Sequence, residues 1–159
     1  MTRRVLFVCL GNICRSPAAE NIFRRFVNDQ SLDTAIQIDS CGTANYHEGK
    51  NPDSRMRQAL RSRGYADDGT ARQITKHDFT YYDLIVPMDR DNRDHLHAVA
   101  KDQAERSKVR LFSDFLPNHQ PIDIPDPYYG GSDGFLEVIA LLEAGCPALL
   151  DEVIADRSR

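Results

Sequence analysis

"VLFVCLGNICRSPAAE", residues Val5–Glu20, decides how this chain is read. "RVLFVC", residues 4–9, is rich in β-branched and aromatic residues and stops at a Gly-Asn turn, which predicts a short buried strand. Ser16-Pro17 reads as a helix start, with Ser16 as the cap and Pro17 at the first helical position. Ala19, Ile22, Phe23 and Phe26 fall on one face at helical spacing, so this helix is expected to pack inward. Strand, tight turn and helix open a βαβ unit. They also raise a chemical question, because a thiol and a guanidinium stand at opposite ends of one short loop.

The same alternation continues outward from this segment. "AIQIDSC", residues 35–41, predicts a second strand, and "PDSRMRQALRSRG" a helix from about Pro52 to Gly64. "YDLIVPM", residues 82–88, has the nearly continuous apolar centre of a parallel strand covered on both faces. Residues 89–100 follow as a helix with Asp89 near its cap, and "KVRLFSDF", residues 108–115, predicts a fourth strand. A last helix from about Ser132 aligns Phe135, Val138, Ile139, Leu142, Leu149 and Val153, with Pro147 expected to kink it. Residues 116–134 are Pro- and Gly-rich and too long for a mere connector. The expected architecture is a doubly wound α/β fold, a four-stranded parallel sheet with helices on both faces in the flavodoxin-like manner. Its ligand site should lie beyond the carboxyl ends of the strands, where Cys9, Cys41, Met88 and the long loop emerge.

Composition narrows the function. At 159 residues the chain is expected to be one domain over 1–159, with 41% hydrophobic and 28% charged residues, as in ordinary globular proteins. A net charge of -4 gives no basic field for nucleic acid or an anionic membrane, so neither is an expected partner. Any anion must be captured locally. Four cysteines (Cys9, Cys14, Cys41, Cys146) without paired metal-ligand spacing suggest reduced thiols and no zinc, and His95 and His97 do not share a helix face. The apolar run after Arg3-Arg4 is too short for a secretion leader, and "VIALLEAGCPALL" is broken by Glu143 and Pro147. A cytoplasmic protein, monomeric or weakly dimeric and without cofactor or metal, is the expectation.

In "CLGNICRS", five residues separate Cys9 from Arg15, enough to wrap a tetrahedral oxyanion. Gly11 permits a backbone conformation that a side chain would forbid, and Asn12 tolerates one nearly as well. The N–H groups of Leu10, Gly11, Asn12, Ile13 and Cys14 can then point inward as an anion-binding nest, reinforced by the helix N-terminus after Ser16. Arg15 can close the ring with a two-pronged contact, and such surroundings favour a thiolate. A lone cysteine ending a strand is most simply a buried filler; the C-x5-R-S spacing between a strand and a helix start moves the reading toward phosphoryl chemistry.

"VCLGNICRSP" (8–17) and "DPYYG" (126–130) resemble the low-molecular-weight protein tyrosine phosphatases, and "DSCGT" (39–43), "ARQ" (71–73) and "MDRDN" (88–92) extend the likeness along the chain. The resemblance implies hydrolysis of protein phosphotyrosine and small aryl phosphates through a phosphocysteine, without metal. It implies Cys9 as nucleophile, Arg15 as phosphate clamp and Asp126 as the acid that protonates the leaving phenolate and then activates water. Asn12, Ser16 and Ser40 resemble residues that hold the loop, and Tyr46 and Tyr128 resemble aromatic walls around a substrate ring. Taken alone, Asp126 would be a turn residue and the tyrosines partly exposed loop residues. Cys14 resembles a second loop cysteine, expected to form a reversible disulfide with Cys9 on oxidation. Many relatives carry a bracing histidine shortly before "ARQ", where this chain has Gly69, and Tyr46 stands where tryptophan is frequent. Two other functions remain open: a thiol-dependent arsenate reductase, which would need relay cysteines, and a non-catalytic phosphate-binding module.

Overall fold

In the computed structural model, residues 1–157 are described and form an α/β structure built on a parallel sheet. The strands are β1 (Arg3–Cys9), β2 (Ile36–Gly42) and β3 (Leu84–Pro87), in the order β2-β1-β3. β1 is central, pairing Cys9 with Gly42 on one side and Val8 with Pro87 on the other. Its side chains alternate between two cores, as the two-residue strand period requires. Val5, Phe7 and Cys9 enter one apolar cluster, and Leu6 and Val8 enter the other. No side is left for water, which explains the continuous apolar sequence.

The first cluster is covered by α1 (Arg15–Asp29), α2 (Ser54–Ser62) and α6 (Ser132–Arg157). Phe23 of α1 meets Phe7 edge to face, with ring centroids 5.6 Å apart. The second is covered by α3 (Lys76–Tyr81) and α4 (Arg90–Val99), through Phe79 and Leu96. A single turn of helix, α5 (Gln103–Arg106), follows α4. Parallel strands joined through helices on both faces bring every strand's carboxyl end to one edge. No helix of the described residues is long and apolar enough to cross a membrane.

One expectation needs correction. The sheet has three strands, not four: residues 108–115 contribute only a parallel bridge between Val109 and Ile85. Beyond it the chain curls into a 3-10 turn at Phe112–Phe115, because Phe112 is drawn off the sheet edge into a notch on α6. That notch is Gly145, where a Cβ would stand 2.6 Å from the Phe112 ring. α6 runs as one helix from Ser132 to Arg157 with Pro147 inside it. α3 escapes the sequence pattern altogether; it is set by a capping box in which Thr75 and Asp78 satisfy each other's backbone N–H groups.

Gly145→Ala separates packing from propensity. Alanine is the better helix former by about 1 kcal/mol. Its methyl would nonetheless collide with a fully buried ring, and overpacking costs ~1–3 kcal/mol. Net destabilisation is expected in urea unfolding; an unchanged or raised midpoint would refute the notch.

Candidate active site

β1 ends at Cys9 and α1 begins at Arg15, so Leu10–Cys14 form a loop between two rigid elements. Its start is pinned to the segment just after β2: Thr43 N–H donates to the Cys9 carbonyl at 2.9 Å, and Ala44 N–H to that of Leu10 at 3.0 Å. Two details differ from expectation. Cys14, not Ser16, occupies the N-cap, which places Ser16 inside the first turn with its hydroxyl free for other work. Pro17 is tolerated there because the first four N–H groups of a helix have no intrahelical acceptor. The left-handed backbone falls on Asn12 (φ 57°), not on Gly11. Gly11 matters for space instead, since a Cβ would lie 3.0 Å from Cδ2 of His47.

Asn12 is the hub of the loop. Its backbone N–H donates to Cys9 Sγ at 3.3 Å. Its side-chain Nδ2 donates to Ser16 Oγ at 2.8 Å and Ser40 Oγ at 2.9 Å, and its Oδ1 accepts from Arg72 N–H at 3.1 Å. Each side-chain hydrogen-bonding group is thus engaged, in a residue that is buried. The network runs on through Ser40, whose hydroxyl donates to Glu20 at 2.7 Å, and through Glu20 to Arg24 at 2.8 Å. Ser16 Oγ lies 3.0 Å from Cys9 Sγ and 3.3 Å from the Cys41 carbonyl. Its one proton therefore has a choice between sulfur and carbonyl, and negative charge on sulfur would draw it.

The loop is one wall of a cavity of about 110 Å³, also lined by Arg15, Asp126, Tyr46, His47 and Tyr128. Arg15 is 3% exposed. Its Nη1 donates to Asp89 at 2.6 Å and to the Ile124 carbonyl at 2.9 Å, and Nη2 lies 3.7 Å from Asp126. Burial opposes that charge, but Cys9 and Asp89 outweigh it and hold the guanidinium above its ordinary range. Asp126 sits between Pro125 and Pro127, accepts from Tyr128 N–H at 3.1 Å and stays partly open to solvent.

The two loop cysteines differ in surroundings. Cys9 Sγ has an amide donor and a hydroxyl beside it. Cys14 has none of these; burial, then the charges of Asp53 and Cys9, push its thiol far up, so it remains protonated at neutral pH.

The sequence-predicted residues therefore converge. Cys9, Leu10, Gly11, Ile13, Cys14 and Arg15 line the cavity with Asp126, Tyr46 and Tyr128, while Asn12, Ser16 and Ser40 stand behind it. Sequence reasoning missed four residues. Asp89 was legible only as a helix cap, which it also is: its second oxygen accepts from Asn92 N–H at 2.7 Å. Glu20 and Arg72 act at long range, and His47 carries no motif. Gly69, at the position where the resemblance implies a bracing histidine, has φ 148°, and a Cβ there would lie 3.3 Å from Cγ of Pro52.

A family model for the low molecular weight phosphotyrosine protein phosphatases matches residues 4–159. A low molecular weight protein-tyrosine-phosphatase of Streptomyces coelicolor is 43% identical, covering 96% of this chain and 94% of its own. The human low molecular weight phosphotyrosine protein phosphatase is 40% identical over 95% and 96% of the two chains. Among solved structures, a protein tyrosine phosphatase of Entamoeba histolytica with Hepes in its active site superposes with a TM-score of 0.94 at 40% identity, covering 98% of this chain and 99% of that one.

Asn12 can be tested by two substitutions. Asn12→Gly keeps the left-handed backbone and removes the side chain; Asn12→Ala removes both advantages. The first should cost ~1–3 kcal/mol in denaturant unfolding for its lost hydrogen bonds. The second should cost about 1–2 kcal/mol more for the backbone. Equal stability of the two variants would show that the φ of Asn12 carries no strain.

Proposed function

The chain belongs to the low molecular weight phosphotyrosine protein phosphatase family, and we propose that it hydrolyses protein phosphotyrosine and small aryl phosphates through a phosphocysteine on Cys9. The observation that carries this reading is the pairing across one small cavity of a sulfur with its own donors and a buried, counter-charged guanidinium.

Phosphate oxygens would take the loop N–H groups and the guanidinium nitrogens that Asp89 and Ile124 leave open. The Cys9 thiolate attacks phosphorus in line, the P–O bond to the tyrosine ring breaks, and Asp126 delivers a proton to the departing phenolate. Water then attacks the phosphocysteine, Asp126 removes its proton, and the S–P bond breaks to regenerate thiolate and release phosphate. The sulfur leaves more readily because Asn12 N–H and the Ser16 hydroxyl stand ready for its charge. Tyr46 and Tyr128 flank the ring of the substrate, and phosphotyrosine is long enough to reach from these walls to the sulfur.

Arsenate reduction would require, besides Cys14 in the loop, a further relay thiol able to reach the cavity. Cys41 and Cys146 are fully buried, and burial above all pushes both thiols up, which opposes a relay. A pure binding module gives no account of a carboxylate held between prolines beside the clamp. The order β2-β1-β3, continued by the Val109 bridge beside β3, supports flavodoxin-like winding. With it we retain one domain over 1–159, cytoplasmic residence and a monomeric or weakly dimeric state as parts of the same proposal.

Cys9→Ser should bind phosphate analogues yet lose turnover by a factor on the order of 10⁴. Asp126→Asn should lower kcat by about 10²–10⁴ with an unactivated phenyl phosphate. The loss should shrink when the phenolate leaves readily without a proton. Comparing kcat across aryl phosphates of graded leaving-group acidity measures this; a uniform loss would remove Asp126 from the acid role.

A further inference from the structure

A second hollow lies between α2 and α6. Arg55, Gln58 and Ala59 line it from one helix and Ser132, Phe135 and Leu136 from the other, enclosing about 220 Å³. Its exposed surface is largely apolar, with Ala59, Phe135 and Leu136 set among Gln58, Ser62, Ser132 and the Arg55 side chain. One side chain joins it to the phosphate cavity. The Arg55 guanidinium lies 5.3 Å from the ring centroid of Tyr128, a wall of the cavity, and 4.8 Å from that of Phe135, the back of the hollow. The two depressions are thus separated by the thickness of one stacked guanidinium.

We propose that this hollow is a specificity subsite that takes one apolar side chain of the substrate protein, close in sequence to the phosphotyrosine. The proposal rests on the phosphotyrosine phosphatase reading and extends it from the reacting residue to its neighbours. Three observations select the occupant. The hollow neighbours the catalytic mouth across Tyr128 and Arg55, so a side chain of a substrate held in the mouth lies within reach of it. Its size suits one ring or branched side chain, since a cavity of about 150 Å³ holds a benzene. Its charge is already cancelled. Asp53 accepts from Arg55 Nε at 3.0 Å and Nη2 at 2.9 Å, and it also caps α2 through Arg55 N–H at 2.8 Å. The guanidinium is thereby a flat, neutralised lid rather than an unpaired cation seeking an acidic residue. An extended peptide rises about 3.3 Å per residue, so the side chain two or three positions from the phosphotyrosine is the one that reaches across.

The test compares phosphotyrosine peptides carrying leucine, phenylalanine, aspartate or glycine at two and three positions on either side, using phenyl phosphate as a substrate too short to touch the hollow. With the wild-type protein, leucine or phenylalanine at one of these positions should raise kcat/KM about tenfold over glycine, and aspartate should not. Gln58→Glu and Leu136→Glu each place a carboxylate on the lining; Gln58 is exposed on α2, so its replacement spares the core. Both variants should abolish the apolar preference while leaving phenyl phosphate turnover unchanged. Equal rates for all peptides, a preference for aspartate, or an apolar preference that survives in both variants would overturn the subsite. Absence of phenyl phosphate turnover in the wild type would instead overturn the phosphatase reading beneath it.

Discussion

A loop that surrounds an anion with its own N–H groups tends to splay open when the anion is absent, because like partial charges are gathered at one point. Here the opposing force comes from the Asn12 side chain. It reaches away from the cavity and engages Ser16, Ser40 and the backbone of Arg72, so one residue ties the loop to α1, to β2 and to the segment before α3. The left-handed backbone that this demands is one asparagine tolerates well. Everything chemical in the cavity inherits its position from that tie, including the amide that faces the sulfur.

The guanidinium opposite the sulfur illustrates how burial and charge are reconciled. An unpaired arginine at this depth would be costly. Asp89 compensates from the start of α4, where its other oxygen already serves as helix cap, so the counter-charge is itself held by a second bond. Asp126 is treated in the opposite way, kept near the clamp but partly solvated on a proline-flanked turn. A group that must give and later take a proton needs that access, whereas a clamp needs rigidity.

Much of this was legible in the chain before folding. β1, β2 and β3 announced themselves as short apolar runs ended by turn residues, and Cys9 and Arg15 by their spacing. The failures have physical causes. Residues 108–115 have strand composition, but the cavity that Gly145 leaves on α6 captures Phe112, and no local pattern reports a notch on another helix. Ser16-Pro17 reads as a cap because those residues favour one; the helix instead starts two residues earlier, with Cys14 as its cap, and the Ser16 hydroxyl stands beside sulfur. Asp89 lies 74 positions from Arg15, beyond any motif. α3 is one and a half turns set by reciprocal capping, too short for an apolar stripe to show.

Gly69 limits what the segment before Arg72 can carry. With φ at 148° and Pro52 close against the place a side chain would take, the segment has settled into a path that only glycine follows comfortably. Any side chain placed there, a histidine included, would ask for a reshaped backbone first, and the amide of Arg72 serves Asn12 from the same segment. The path of these residues and the support of the phosphate loop are therefore coupled, and a larger residue introduced alone would disturb both.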